Sequence, residues 1–198
     1  MAQTTFSVEK IRTAAGGFAK GNRYNVNIIP PSGIPALQSD PALGKFQYLC
    51  EAISLPTKSL ASTPQDIYGP PREIPYRETF TEAALSFILD DAFTLKRYFD
   101  TWQTNIINPE TGNVNYWNNF VATINISRLS NDATSFTDAG NTYNIELREV
   151  YPSAVGEIAL GHTQGGEILR LSVTFKYRKW INLASGVRSP TLSFASDF

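Results

Sequence analysis

The chain has 198 residues, 42% of them hydrophobic, and a formal net charge of −1. That is enough apolar material for one packed domain, and too balanced a charge for a dedicated nucleic-acid binder, which carries a strong basic excess. One cysteine, Cys50, excludes an intrachain disulfide framework; the N-terminal stretch lacks the apolar core of a signal peptide, and no run approaches the ~18 apolar residues of a membrane span.

In chain order, "RYNVNII" alternates Tyr24, Val26 and Ile28 with Asn25 and Asn27, the period of a half-buried strand. Residues 30–44 read as loop from their Pro and Gly punctuation. "KFQYLCEAISL" reads as a second strand with Phe46, Tyr48 and Cys50 on one face, and Cys50 as a small buried hydrophobe rather than a reactive thiol. Residues 56–78 show no apolar period and end in "DIYGPPREIPY"; they read as a long loop outside the folded body. "ALSFILD" is a strand buried on both sides. "DDAFTLKRYFDTWQTNII" changes period: Leu95, Tyr98, Phe99, Trp102 and Ile106 form one helical stripe, with Asp90 or Asp91 capping its start and Asn108-Pro109 its end.

Strands return with "FVATINIS" (Phe120, Ala122, Ile124 and Ile126 on one face), "TYNIELREV" (Tyr143, Ile145 and Leu147 inward) and a short candidate "VGEIAL". "EILRLSVTFKYRKW" is the clearest: Leu169, Leu171, Val173, Phe175 and Tyr177 face one way, Arg170, Ser172, Thr174, Lys176 and Arg178 the other. The sum is a mainly β protein, a barrel or sandwich of about seven strands with one flanking α-helix.

Chemistry is sparse. His162, the only histidine, sits in a Gly-rich turn, and one His with one Cys cannot build a typical zinc site. There is no nucleophile elbow, no P-loop and no dinucleotide fingerprint. Two binding or catalytic classes stay open on the residues alone: a carbohydrate-binding module using exposed aromatics, and a carboxylate-dependent hydrolase. No cofactor or metal is expected.

Four blocks in order, "GGFAKGNRYNVNI", "FQYLCEAISLP", "FTEAALSFILDDAFTLKRYFDTWQ" with Phe99 and Trp102, and residues 144–180 with the Tyr151-Pro152 step, resemble the tail tube proteins of contractile-tailed bacteriophages. The resemblance implies a non-enzymatic, ring-forming virion protein. Six copies would join their sheets around a channel, rings would stack into a tube inside a sheath, and double-stranded DNA would pass through. Its partners would be itself, the baseplate hub, the tail sheath and tape-measure proteins, with no membrane binding of its own.

On that resemblance, residues 1–198 are one domain with an N-terminal arm (1–22), a stacking loop (56–78) and a C-terminal extension (181–198). Ile67, Tyr68, Pro70, Pro71, Arg72, Pro75 and Tyr76 are expected to make inter-ring contacts. Phe6, Phe18, Asn22 and Arg23 are expected to reach a neighbour. Arg170, Lys176 and Arg178 would line the lumen or meet a neighbouring subunit. The long 30–44 insertion, the eighteen residues after Trp180 and "IYGPPREIPY" are more similar to the related baseplate proteins that nucleate a tube. A single-layer initiator is therefore the alternative role.

Overall fold

The structure, a computed structural model, describes residues 18–66, 69–131, 141–161 and 166–183. Nine strands lie among them: β1 (Tyr24–Ile29), β2 (Cys50–Ile53), β3 (Lys58–Gln65), β4 (Arg72–Phe80), β5 (Ala83–Ile88), β6 (Ala122–Leu129), β7 (Asn141–Val155), β8 (Arg170–Lys176) and β9 (Lys179–Asn182). One long helix, α3 (Thr94–Ile106), is accompanied by three single turns: α1 (Pro35–Gln38), α2 (Phe46–Leu49) and α4 (Trp117–Phe120).

Seven strands form one antiparallel sheet in the order β1-β6-β7-β8-β5-β2, with β9 also on β7; β3 and β4 pair only with each other. Strand β7 is long enough to serve two halves of the sheet. Its first part pairs with β6 and β9, its last residues with β8. The change of direction falls at Glu149, which takes a left-handed φ of 55°, and at a bulge beside Pro152. Both devices bend a strand, and a bulge also accommodates a proline that cannot donate to the ladder. The path does not close into a barrel. Its end strands β1 and β2 share no ladder, and Tyr24 Oη donating to the Cys50 carbonyl at 2.9 Å is the bond that spans them.

The inner faces supply the core: Val26 and Ile28, Ile124 and Ile126, Ile145 and Leu147, Leu85 and Phe87, Leu171, Val173 and Phe175 are all buried. The stripe of α3 seals it. Leu95, Tyr98, Phe99 and Trp102 are fully buried, as their three- and four-residue spacing predicts. Phe99 packs on Phe87 and Phe175 at ring-centre distances of 5.6 and 5.8 Å, and Trp102 Nε1 donates to the Phe120 carbonyl at 2.8 Å. Asp90 accepts the Thr94 N–H at 2.8 Å and pairs with Lys45 at 2.7 Å, so it satisfies an orphan donor at the helix start.

Several sequence expectations are corrected. Residues 45–55 are not one strand: Phe46–Leu49 is a helical turn, and only Cys50–Ile53 is extended. Phe46 therefore points into the aromatic core while Tyr48 is exposed. Cys50 is half-buried, and burial pushes its thiol up to about 11. The 30–44 segment contains α1 and a 3-10 turn (Pro41–Gly44), with Leu37 and Ala42 in the core. Phe120 ends a helical turn rather than starting β6. "VGEIAL" is not a separate strand; Val155 closes β7. The last strand breaks at Tyr177-Arg178 into β8 and β9, and β9 takes in Ile181 and Asn182 of the expected extension. Residues 56–78, expected as loop, fold mostly as the β3–β4 hairpin.

Candidate assembly interface

The hairpin is largely exposed. Every residue of β4 from Arg72 to Thr79 is exposed, and β3 is exposed except at Ala61. A two-stranded ribbon standing alone is marginal in water. This one is held by Lys58–Glu78 at 2.6 Å, by Ser62 Oγ donating to Glu73, and at its root by Thr57 N–H donating to Thr81 Oγ1. Phe80 anchors it to the body through Tyr177, with ring centres 5.9 Å apart.

Of the residues expected to stack rings, Pro70, Pro71 and Arg72 lie at the tip, just after Gly69 with φ 82°. Pro75 and Tyr76 lie on β4, Tyr76 being 68% exposed. Ile67 and Tyr68 fall outside the described residues. Arg72 enters none of the ion pairs among the described residues.

Of the expected arm, Phe6 lies outside the described residues. Phe18 is exposed and its carbonyl accepts from Asn131 Nδ2 at 3.1 Å; Asn22 is exposed, and Arg23 donates to the Ser130 carbonyl at 3.3 Å. Beside them, a crevice of about 440 Å³ separates the two end strands of the sheet path, lined by Tyr24, Ile53, Leu55, Ile126 and Tyr143. Among the described residues β1 and β2 each have one ladder partner, which leaves one edge of each without a ladder.

The cations of the β8 face are matched within the chain. Arg170 pairs with Glu51 at 2.7 Å, Lys176 with Glu82 at 3.4 Å and Arg178 with Glu149 at 2.9 Å. Glu149 also accepts from Trp117 Nε1 at 2.9 Å, and this bond, with Arg178, holds its carboxyl below the usual range. The hydrogen bond from Arg170 does the same to Glu51. Arg178 lies past the end of β8, at the corner leading to β9.

Sequence reasoning missed a second cleft, of about 400 Å³, at the hairpin root. Phe80, Trp117, Tyr151 and Tyr177 wall it, and Glu82 and Lys176 stand at its rim. Trp117 and Tyr151 meet edge to face at 5.8 Å, yet Trp117 stays 45% exposed. The adjacent "YW" at Tyr116-Trp117, outside any apolar period, was the available signal. Among the described residues no group of three His, Cys, Asp or Glu side chains is placed to hold a metal ion, and no helix is long and apolar enough to cross a membrane. His162 lies outside the described residues.

A family model for the phage tail tube protein matches residues 19–183. Among solved structures the fold is similar to a chain of the anti-feeding prophage baseplate in its 6-fold symmetrised cryo-EM structure: 15% identity, 86% of this chain and 99% of that one, TM-score 0.60. It is similar to a chain of the anti-feeding prophage tube-terminating cap: 15% identity, 92% and 98% coverage, TM-score 0.58. It is also similar to a chain of the sheath–tube complex of an extracellular contractile injection system in its extended state: 14% identity, 90% and 98% coverage, TM-score 0.56. No curated protein matches by sequence.

Proposed function

Because the chain belongs to the phage tail tube protein family, we propose that it is a non-enzymatic subunit of the inner tube of a contractile tail, six copies closing a ring around the channel through which the genome leaves. The family match over residues 19–183 carries this reading. The open sheet supports it: among the described residues the strand path ends in two edges that no ladder covers. Unpaired edges template association, and joining them around a ring removes them. The hairpin supports stacking, since among the described residues its two strands pair only with each other and it meets the body at its root, through Phe80 and Tyr177.

Arg170, Lys176 and Arg178 belong to the lumen or to a subunit contact. On a channel wall, cations already held by Glu51, Glu82 and Glu149 leave little free positive charge to grip DNA, which suits passage rather than binding. The surrounding partners are then the sheath outside, the tape-measure protein within during assembly and the baseplate hub below. The place of action is the virion.

The alternative within the family is an initiator present in one layer at the baseplate. The folded 30–44 segment favours it, because an initiator meets different partners above and below. Electron microscopy of the purified chain tests the assembly reading: six-fold rings or tubes are expected, and a chain that stays monomeric at every concentration and with tail partners present contradicts it. Copy number in the intact particle separates the two roles. Many rings along the tail identify the tube subunit; one layer identifies the initiator.

A further inference from the structure

Resting on the assembly reading above, we propose that Glu149 is a positioning residue for assembly: with Trp117 and Arg178 it fixes the bend in β7, and the bend sets where the end strands β1 and β2 stand for a neighbouring copy.

The backbone at Glu149 suits a different residue. Among the described non-glycine residues only Phe93 and Glu149 take a positive φ, 52° and 55°. Glycine holds that conformation without the Cβ clash that penalises other L-residues. What a glutamate adds is its carboxylate, and both oxygens are in use. Oε2 accepts from Trp117 Nε1 at 2.9 Å, and Oε1 accepts from Arg178 Nη1 at 2.9 Å. The donors come from α4 and from the corner between β8 and β9, so one side chain ties three parts of the fold together.

The tie lies on the line where the sheet turns. Thr123 pairs with Arg148 and Ala122 with Val150, so Glu149 is the extra residue of a bulge, left out of the β6–β7 ladder. On the other side of β7, Arg148 pairs with Lys179 and Tyr151 with Lys176, and Tyr177 and Arg178 fall between those two ladders. Both neighbours of the bend therefore break at one level, and the Glu149–Arg178 pair bridges the break. A bulge bends its strand and increases the local twist. The first part of β7 carries β6 and β1, and its last residues carry β8, β5 and β2. The angle at the bend thus governs the gap between β1 and β2, which holds the crevice of about 440 Å³ and is spanned by the Tyr24–Cys50 bond. A strained backbone persists only where its surroundings hold it. Without the carboxylate the bend can relax, and the two edges move relative to each other.

The test uses the full chain. Glu149→Gly removes the tie and relieves the backbone, while Arg178→Ala removes one donor whose side chain is 69% exposed. Neither is expected to move the melting temperature by more than about 2 °C. Rings are followed by sedimentation velocity and electron microscopy. Modification of the sole cysteine, Cys50, by dithionitrobenzoate reports the β1–β2 gap in the unassembled chain. Each variant is expected to raise the concentration needed for rings about tenfold, the effect of losing one charge-assisted hydrogen bond, and to speed Cys50 modification. The double variant is expected to match Glu149→Gly alone, because both changes act through one contact. Rings at the wild-type concentration in Glu149→Gly, an unchanged Cys50 rate, or a melting temperature that falls in step with assembly each overturns the positioning role while the ring reading stands. A wild-type chain that forms no rings overturns the assembly reading and this role with it.

Discussion

Asp90 joins two parts of the fold at one carboxylate: it caps α3 through Thr94 and ties that helix to Lys45 at the start of α2. The hydrogen bonds from Lys45 and Thr94 pull its pKa down to about 2. A folded-state value below the unfolded ~3.9 means the contribution is full above about pH 4 and is lost as pH falls through about 2. Asp90→Asn should therefore lower the melting temperature at neutral pH and shrink the gap from wild type below about pH 3; an unchanged gap across that range contradicts the assignment. Trp102 is a second fixed point. Trp102→Phe keeps much of the ring but orphans the buried Phe120 carbonyl, at a cost of about 1–3 kcal/mol in chemical denaturation. Both residues were legible in the sequence, because a 3.6-residue stripe and an acidic start are local signals. Phe46 was not. Its two-residue alternation with Tyr48 and Cys50 suggested a strand, but the ring is claimed by Phe87, Tyr98 and Phe99 at 5.7, 5.1 and 5.6 Å, and the chain turns helical to deliver it.

At the level of elements, the hairpin shows why a strand can hide. Buried strands announce themselves by alternation, and a ribbon exposed on both faces has no inside to alternate with. Pro64 and Pro75 reinforced the appearance of loop, yet in a two-stranded ribbon each strand is an edge, where a missing N–H is tolerated. Its place outside the body was nonetheless legible from its prolines and mixed charges. Alanine at the exposed Arg72 and Tyr76 should weaken stacking and move the melting temperature by no more than about 2 °C, since exposed substitutions cost within ~0.5 kcal/mol. A loss of several degrees by thermal unfolding would mean that the hairpin belongs to the core. The β7–β8 junction is a tighter constraint. A Cβ on Gly156 would lie 2.9 Å from the Ser172 carbonyl oxygen, the same atom that accepts the Gly156 N–H at 2.7 Å. Gly156→Ala should destabilise by about 1–3 kcal/mol, the usual cost of overpacking, measured as a lower denaturant midpoint. "VGEIAL" looked like a strand because nothing local reveals that β7 ends where this glycine meets β8.

For the whole molecule, the inward faces of β1, β6, β7 and β8 follow from sequence period, and so did the β-rich class. The openness of the sheet did not, because whether β1 meets β2 depends on bends at Glu149 and Pro152 that carry no hydrophobic signature. The cleft walls were equally hidden: Phe80, Trp117, Tyr151 and Tyr177 come from four segments that only the tertiary fold assembles. A chain with formal charge −1 has little long-range repulsion to oppose self-association. The most direct measurement is a cryo-EM map of assembled particles at a resolution that traces strands. The expected result is a six-fold ring in which a sheet edge of each copy is hydrogen-bonded to the sheet of the next. A monomer, or a ring whose β1 and β2 edges both face solvent, would contradict it.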